Sequence, residues 1–224
     1  MTNPSIVLDR LQRYLSEAMR TERLVLARSA RDGRVDSQEN ERQVSQALEY
    51  FALSSEWFAE QSLRLEISPS RHWYDFAVTG PDGLFLPVNV KVSALRTADN
   101  ISSKEGVFYA LTGVLPNAVS IKNWESFCLQ LSHRLGMNPD ADYYFMVVSK
   151  QLPAEVFWTS LKHITELVPN GNNPPFQCNW AKNRERVARS ADDAQKYILG
   201  VLRETFRLRA EALKSFDSHL AKFA

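Results

Sequence analysis

The 224-residue sequence predicts an α/β (α+β) protein in which helices flank a central mixed β-sheet. Three observations carry this reading. Helical periodicity fills both ends of the chain. Period-two alternation and a strong turn occupy residues 62–93. TyrTyrPheMetValValSer (143–149) is a continuous apolar run of the kind buried on both faces of a sheet. With 44% hydrophobic and 24% charged residues, the composition is globular, which excludes collagen-like, disordered and coiled-coil classes. The length predicts one domain, 1–224, made of N-terminal helices (1–61), a sheet core (62–168) and a C-terminal loop and helix (169–224).

The first helix spans 4–29, with Ile6, Leu8, Leu11, Leu15, Ala18 and Met19 at mostly helical spacing and arginines between them. ArgAspGlyArg (31–34) breaks it. Asp36 is placed to cap a second helix with Glu39 three residues on, and the apolar face runs to about residue 61. SerLeuArgLeuGluIle (62–67) reads as a strand. Residues 73–79 and 84–93 flank GlyProAspGly and read as a β-hairpin, with Pro87 expected on an edge or at a bulge because it cannot donate to a ladder. Helices are predicted over 102–113, 124–135 and 153–167, the last opened by Pro153. An Asn/Gly/Pro loop follows at 169–175, then a long amphipathic helix over 190–222. The tryptophans at 57, 73, 124 and 158 fall at apolar positions and read as packing, and His72 as a loop residue.

No apolar run approaches the roughly 18–20 residues that span a bilayer. Asp9 and Arg10 stand where a signal peptide would be apolar. Cys128 and Cys178 form no CxxC pattern, and the four histidines show no HxxxH spacing. The expectation is a protein of a reducing cytoplasm, bacterial or archaeal, with no membrane partner and no organic cofactor. The net charge of +1 argues, by itself, against a nucleic-acid binder. The average conceals a gradient: Asn179 to Lys214 holds nine Lys/Arg against five Asp/Glu, a local +4.

The hairpin carries the chemistry. Side chains alternate along a strand, so Asn89 and Lys91 share one face while Val88, Val90 and Val92 take the other. Asp75, on the neighbouring strand, can face the same side as Asn89 and Lys91, and Glu105 opens the helix that follows. Hydrolysis of a phosphodiester needs a hard cation on carboxylate oxygens, and a lysine that orients water and stabilises developing charge. Asp75, thirteen residues, then Asn89-Val90-Lys91 resembles the signature of the PD-(D/E)xK nucleases, the core of most type II restriction endonucleases. Tyr74 stands where the motif has proline, and Asn89 where it has an acid. One subgroup replaces that acid and supplies a glutamate from the following helix, with thirteen residues between it and the lysine. Lys91 and Glu105 have that separation.

The resemblance implies Asp75 and Glu105 as Mg²⁺ ligands, Lys91 as the residue positioning the nucleophilic water, and Asn89 as a weak ligand or supporting partner. It also implies an accessory glutamate from the helix before the sheet, for which Glu41 and Glu49 are the candidates, although a surface pair is the simpler reading of either. In the same subgroup, the stretch after the lysine reads bases with paired arginines around an aspartate. Arg96, Asp99, Asn100, Ser103 and Lys104 occupy that stretch, with Asn100 where a second arginine is expected. Residues 173–186 resemble a segment near the C-terminus of restriction enzymes, and offer Gln177, Asn179, Lys182, Asn183, Arg184 and Arg186 to phosphates or base edges. The partners implied are double-stranded DNA and a second copy of the chain, with the terminal helices as interface. Two other readings are a structure-specific repair or resolving nuclease, and a non-catalytic DNA-binding module on a decayed nuclease fold.

Overall fold

The computed structural model describes residues 2–27, 33–96, 98–101, 104–152 and 154–223. In chain order the elements are α1 (Pro4–Arg20), α2 (Gly33–Ser54), α3 (Glu56–Glu60), β1 (Arg64–Ile67), β2 (Phe76–Thr79), β3 (Phe85–Ser93), β4 (Asp99–Ile101), α4 (Lys104–Thr112), α5 (Trp124–Arg134), β5 (Tyr144–Ser149), β6 (Val156–Ser160), β7 (Val168–Pro169), β8 (Phe176–Cys178) and α6 (Ala191–His219). None of the described helices is long and apolar enough to cross a membrane. The chain forms two compact units: Met1–Thr97 with Asp142–Leu161, and Ala98–Ala141 with Lys162–Ala224.

The first unit is a five-stranded mixed sheet in the order β1-β2-β3-β5-β6 with three helices. β1, β2 and β3 are successively antiparallel, β5 runs parallel to β3, and β6 returns antiparallel to β5. Val88, Val90 and Val92 of β3 pack with Met146 and Val148 of β5 against Leu8, Leu11 and Leu15 of α1 and Val44 and Leu48 of α2. Each of these side chains, fully buried, stabilises the fold by roughly 1.5–3 kcal/mol. The alternation expected of β3 therefore holds: the valines face this core, and Asn89 and Lys91 lie on the opposite face of the strand.

Local chemistry explains where elements end. Asn3 caps α1, its side chain accepting from the Ser5 N–H at 2.9 Å, and Pro4 opens the first turn. The helix stops at Arg20 rather than 29, because Thr21 caps it and Glu22 takes a positive φ of 57°. α2 begins at Gly33, ahead of Asp36, whose side chain lies outside the described residues. Its run ends at Ser54, and Ser55 caps the short α3 through the Phe58 N–H.

One expectation about the sheet needs correction, and another is met in an unexpected place. Residues 156–160 form β6, not a helix: Val-Phe-Trp-Thr-Ser is rich in β-branched and aromatic side chains, and all five are buried. Pro153, expected to open that helix, lies outside the described residues. Pro87 sits in a central strand, but at a point where one side of that strand is unpaired, and one residue before Val88, which the Asp75 N–H meets. Its neighbour Val88 directs its carbonyl toward the β2 side, so the Pro87 nitrogen faces the other side, where β5 joins only from the Val88–Tyr144 pair onward.

The second unit holds α4, α5 and α6 and a small antiparallel sheet, β4-β8-β7. Phe108 and Phe127 meet edge to face at 6.2 Å, as do Trp124 and Phe206 at 5.2 Å. The Thr205 hydroxyl of α6 accepts from the Asn170 N–H at 3.0 Å and donates to the Pro175 carbonyl at 2.7 Å, tying the 169–175 segment to the helix. That segment was expected to be loop alone; it is bracketed by β7 and β8.

Candidate functional site

The site grows from a fault in the β2–β3 ladder. Phe76 is paired with Val88, yet the Asp75 N–H also reaches the Val88 carbonyl at 2.9 Å, so β2 carries one residue too many at this point. Such a bulge bends a strand and re-aims a side chain. Beyond it β2 no longer lines β3, and the N–H groups of Val90 and Val92 need other acceptors. Asp75 Oδ2 takes the Val90 N–H at 2.6 Å, and the Glu41 carboxylate of α2 lies close enough to Val92 for its N–H to lower the carboxyl's pKa. The Asp75 carboxylate thus stands in for a missing strand at Val90, with Glu41 near the same edge of β3.

Their electrostatics follow. Burial pushes the Asp75 carboxyl above the usual carboxylate range, against the Val90 hydrogen bond and the Lys91 ammonium, which pull it down. Burial also raises Glu41; Lys91 opposes this, the negative charge of Asp75 adds to it, and the Val92 N–H and Lys150 oppose it again. Glu41 therefore feels the charges of Lys91 and Asp75, and Asp75 feels that of Lys91. Asn89, on the same face of β3 as Lys91, has a buried Oδ1 with no hydrogen-bond partner. A cleft of about 790 Å³ has Glu41 and Asp75 in its lining, together with Arg42, Arg71, His72 and Tyr74.

Of the two accessory glutamates weighed from the sequence, Glu41 is the one at the site. Glu49 lies eight residues further along α2, about 12 Å at 1.5 Å per residue. Lys150 was not anticipated. It follows β5, whose Ser149 is paired with Ser93 of β3, and its ammonium also donates to Ser37 at 2.9 Å. A lysine directly after the strand parallel to the Lys91 strand was the available signal. Glu105 is in the first turn of α4, in the second unit.

The proposed DNA contacts divide by environment. Arg96, Arg184 and Arg186 are exposed. Asp99 and Asn100 belong to β4, and the Asn100 side chain accepts from Asn170 at 2.8 Å. Ser103 lies outside the described residues. Lys104 opens α4 and donates to the Lys122 carbonyl. Gln177 is half-buried in β8. Asn179 caps a turn through the Ala181 N–H at 2.9 Å, and Lys182 pairs with Glu166 at 2.9 Å. Asn183 is corrected by its burial: fully enclosed, it accepts from the Glu166 N–H at 2.8 Å and donates to the Glu166 and Asn179 carbonyls at 3.1 and 2.8 Å. It holds a loop and is not presented to a ligand.

Neither protein-family models nor the curated proteins give a match to this chain.

Proposed function

We propose that the chain is a Mg²⁺-dependent endonuclease of the type II restriction class, hydrolysing phosphodiester bonds of double-stranded DNA as a homodimer. The observation that carries this reading is the convergence of Glu41 and Asp75 on the stretch of β3 that bears Asn89 and Lys91. The donors fit a hard cation, since all are oxygens and Asn89 Oδ1 is buried without a partner. Two carboxylates raised by burial, one further raised by the other, would be relieved by a positive ion. Among the described residues no group of three His, Cys, Asp or Glu could hold a metal. The protein would therefore offer two carboxylates and an amide oxygen, leaving places for the waters that Mg²⁺ retains. When bound, Mg²⁺ supplies Lewis-acid polarisation of the phosphoryl oxygen and an acidified water.

In this reading Lys91 orients the attacking water and offsets charge developing on the phosphoryl oxygens. Asp75 and Glu41 hold the ion, Asp75 while remaining anchored to the Val90 N–H of β3, so its position is fixed before substrate arrives. The role of Glu105 rests on its spacing from Lys91. The dimer is supported by the exposed Leu213, Phe216, Leu220 and Phe223, from the last turns of α6 to the residues just beyond it.

The test is incubation with phage DNA and MgCl₂. Discrete fragments are expected, with cleavage reduced at least about 100-fold in Lys91→Ala and Glu41→Gln. Undiminished cleavage by Lys91→Ala overturns the reading, and random products point to a structure-specific nuclease. The neutral Asn89 favours a second reading, a non-catalytic DNA-binding module, which predicts metal-independent DNA binding and no cleavage.

A further inference from the structure

We propose that the cleft beside Glu41 and Asp75 receives one unstacked nucleotide of the substrate strand, with Arg71 on its phosphate and the His72–Tyr74 pair against its base. The inference rests on the nuclease reading and narrows its substrate: the strand leaves its stack where it meets the carboxylates.

Three observations lead here. First, about 790 Å³ lies within the range of roughly 300–1,000 Å³ typical of small-molecule sites, room for a nucleotide rather than for stacked base pairs. Second, Arg71 occupies the third position of a turn closed by the His72 N–H on the Pro69 carbonyl at 3.1 Å, with a φ of 66°. That left-handed position suits glycine, and a long cation kept there against its backbone preference is a lead to function. Among the described residues no hydrogen bond or ion pair holds the Arg71 guanidinium. Arg42, elsewhere on the lining, is held by Glu39 and Gln46. A free, exposed guanidinium is the group that binds phosphate with paired hydrogen bonds. Third, His72 and Tyr74 meet edge to face at 4.3 Å, and Tyr74 is braced by Trp73 at 4.7 Å and Phe85 at 5.7 Å. Partial burial lowers the His72 pKa, favouring the uncharged ring. A braced aromatic pair offers a stacking surface for any base.

The full chain is titrated in MgCl₂ with deoxyadenosine 5′-monophosphate while tryptophan fluorescence is followed, Trp73 being the reporter beside Tyr74. Saturable quenching is expected, with affinity about tenfold weaker in Arg71→Gly and in Tyr74→Leu. Inorganic phosphate and deoxyadenosine should each compete about tenfold more weakly than the monophosphate. Arg71→Gly also suits the backbone, so it should melt higher than the parent while binding less. Binding unchanged in Arg71→Gly, phosphate competing as well as the nucleotide, or no saturable quenching overturns the inference. Nucleotide binding without DNA cleavage keeps this inference and removes the nuclease reading. DNA cleavage without nucleotide binding removes the inference and keeps the nuclease.

Discussion

Replacing Asp75 in two ways separates its structural and electrostatic roles. Asp75→Ala deletes the acceptor of the Val90 N–H, a group on a strand residue with no exposed surface. Leaving a buried donor unpaired costs about 1–3 kcal/mol. At about 2–4 °C per kcal/mol for a chain of this size, the melting temperature should fall by roughly 2–12 °C. Asp75→Asn keeps an oxygen for Val90, removes the buried charge and relieves Glu41. It should be more stable than the parent at pH 7. The sign follows from linkage: a carboxyl raised in the folded state contributes stability that is complete below its unfolded pKa and is lost as pH rises through the folded one. The advantage of Asp75→Asn must therefore shrink as pH falls from neutrality toward 3.8, the ordinary value. The assay is thermal unfolding by circular dichroism from pH 3.5 to 8. Equal destabilisation by both substitutions, or an Asp75→Asn advantage independent of pH, would refute the reasoning.

Lys91→Met removes the cation that opposes the rise at both carboxyls, so carboxyl NMR should show Glu41 and Asp75 taking up protons at higher pH than in the parent. Asn183→Ala should lower stability by about 2–4 kcal/mol in urea unfolding, because three hydrogen bonds of a buried amide are lost together. A DNA-contact role would instead weaken binding and spare stability. Gly113→Ala should cost about 2–4 kcal/mol, since φ is 69° and an added Cβ would lie 2.3 Å from Asn138 Cβ; an unchanged unfolding midpoint would refute that.

The hairpin, β5, α5 and α6 were legible because each is long enough, or carries a strong enough turn, for its period to show. The face bearing Asn89 and Lys91 followed from alternation alone. Three things were not legible. β6 lies behind a proline that reads as a helix opener, and its burial on both faces leaves no alternation to detect. β4, β7 and β8 have two or three residues each, below the length at which any pattern exists. Glu41 and Glu49 occupy one helix with similar local surroundings, and the choice between them is made by a bulge at Asp75, far along the chain. Nothing near Glu41 announces that it faces the charges of Asp75 and Lys91.

The connectivity has a consequence for how the protein is made. β3 and β5 are direct neighbours, yet about fifty residues lie between them, most of them belonging to the second unit. A chain emerging from the ribosome therefore completes the Lys91 strand well before its parallel partner exists. Until Tyr144–Ser149 emerges, that side of β3 is an open template for pairing with any other extended chain. A fragment ending at residue 141 should accordingly aggregate, and neither unit can be released by a single cut, because each is written in two separate stretches of the chain.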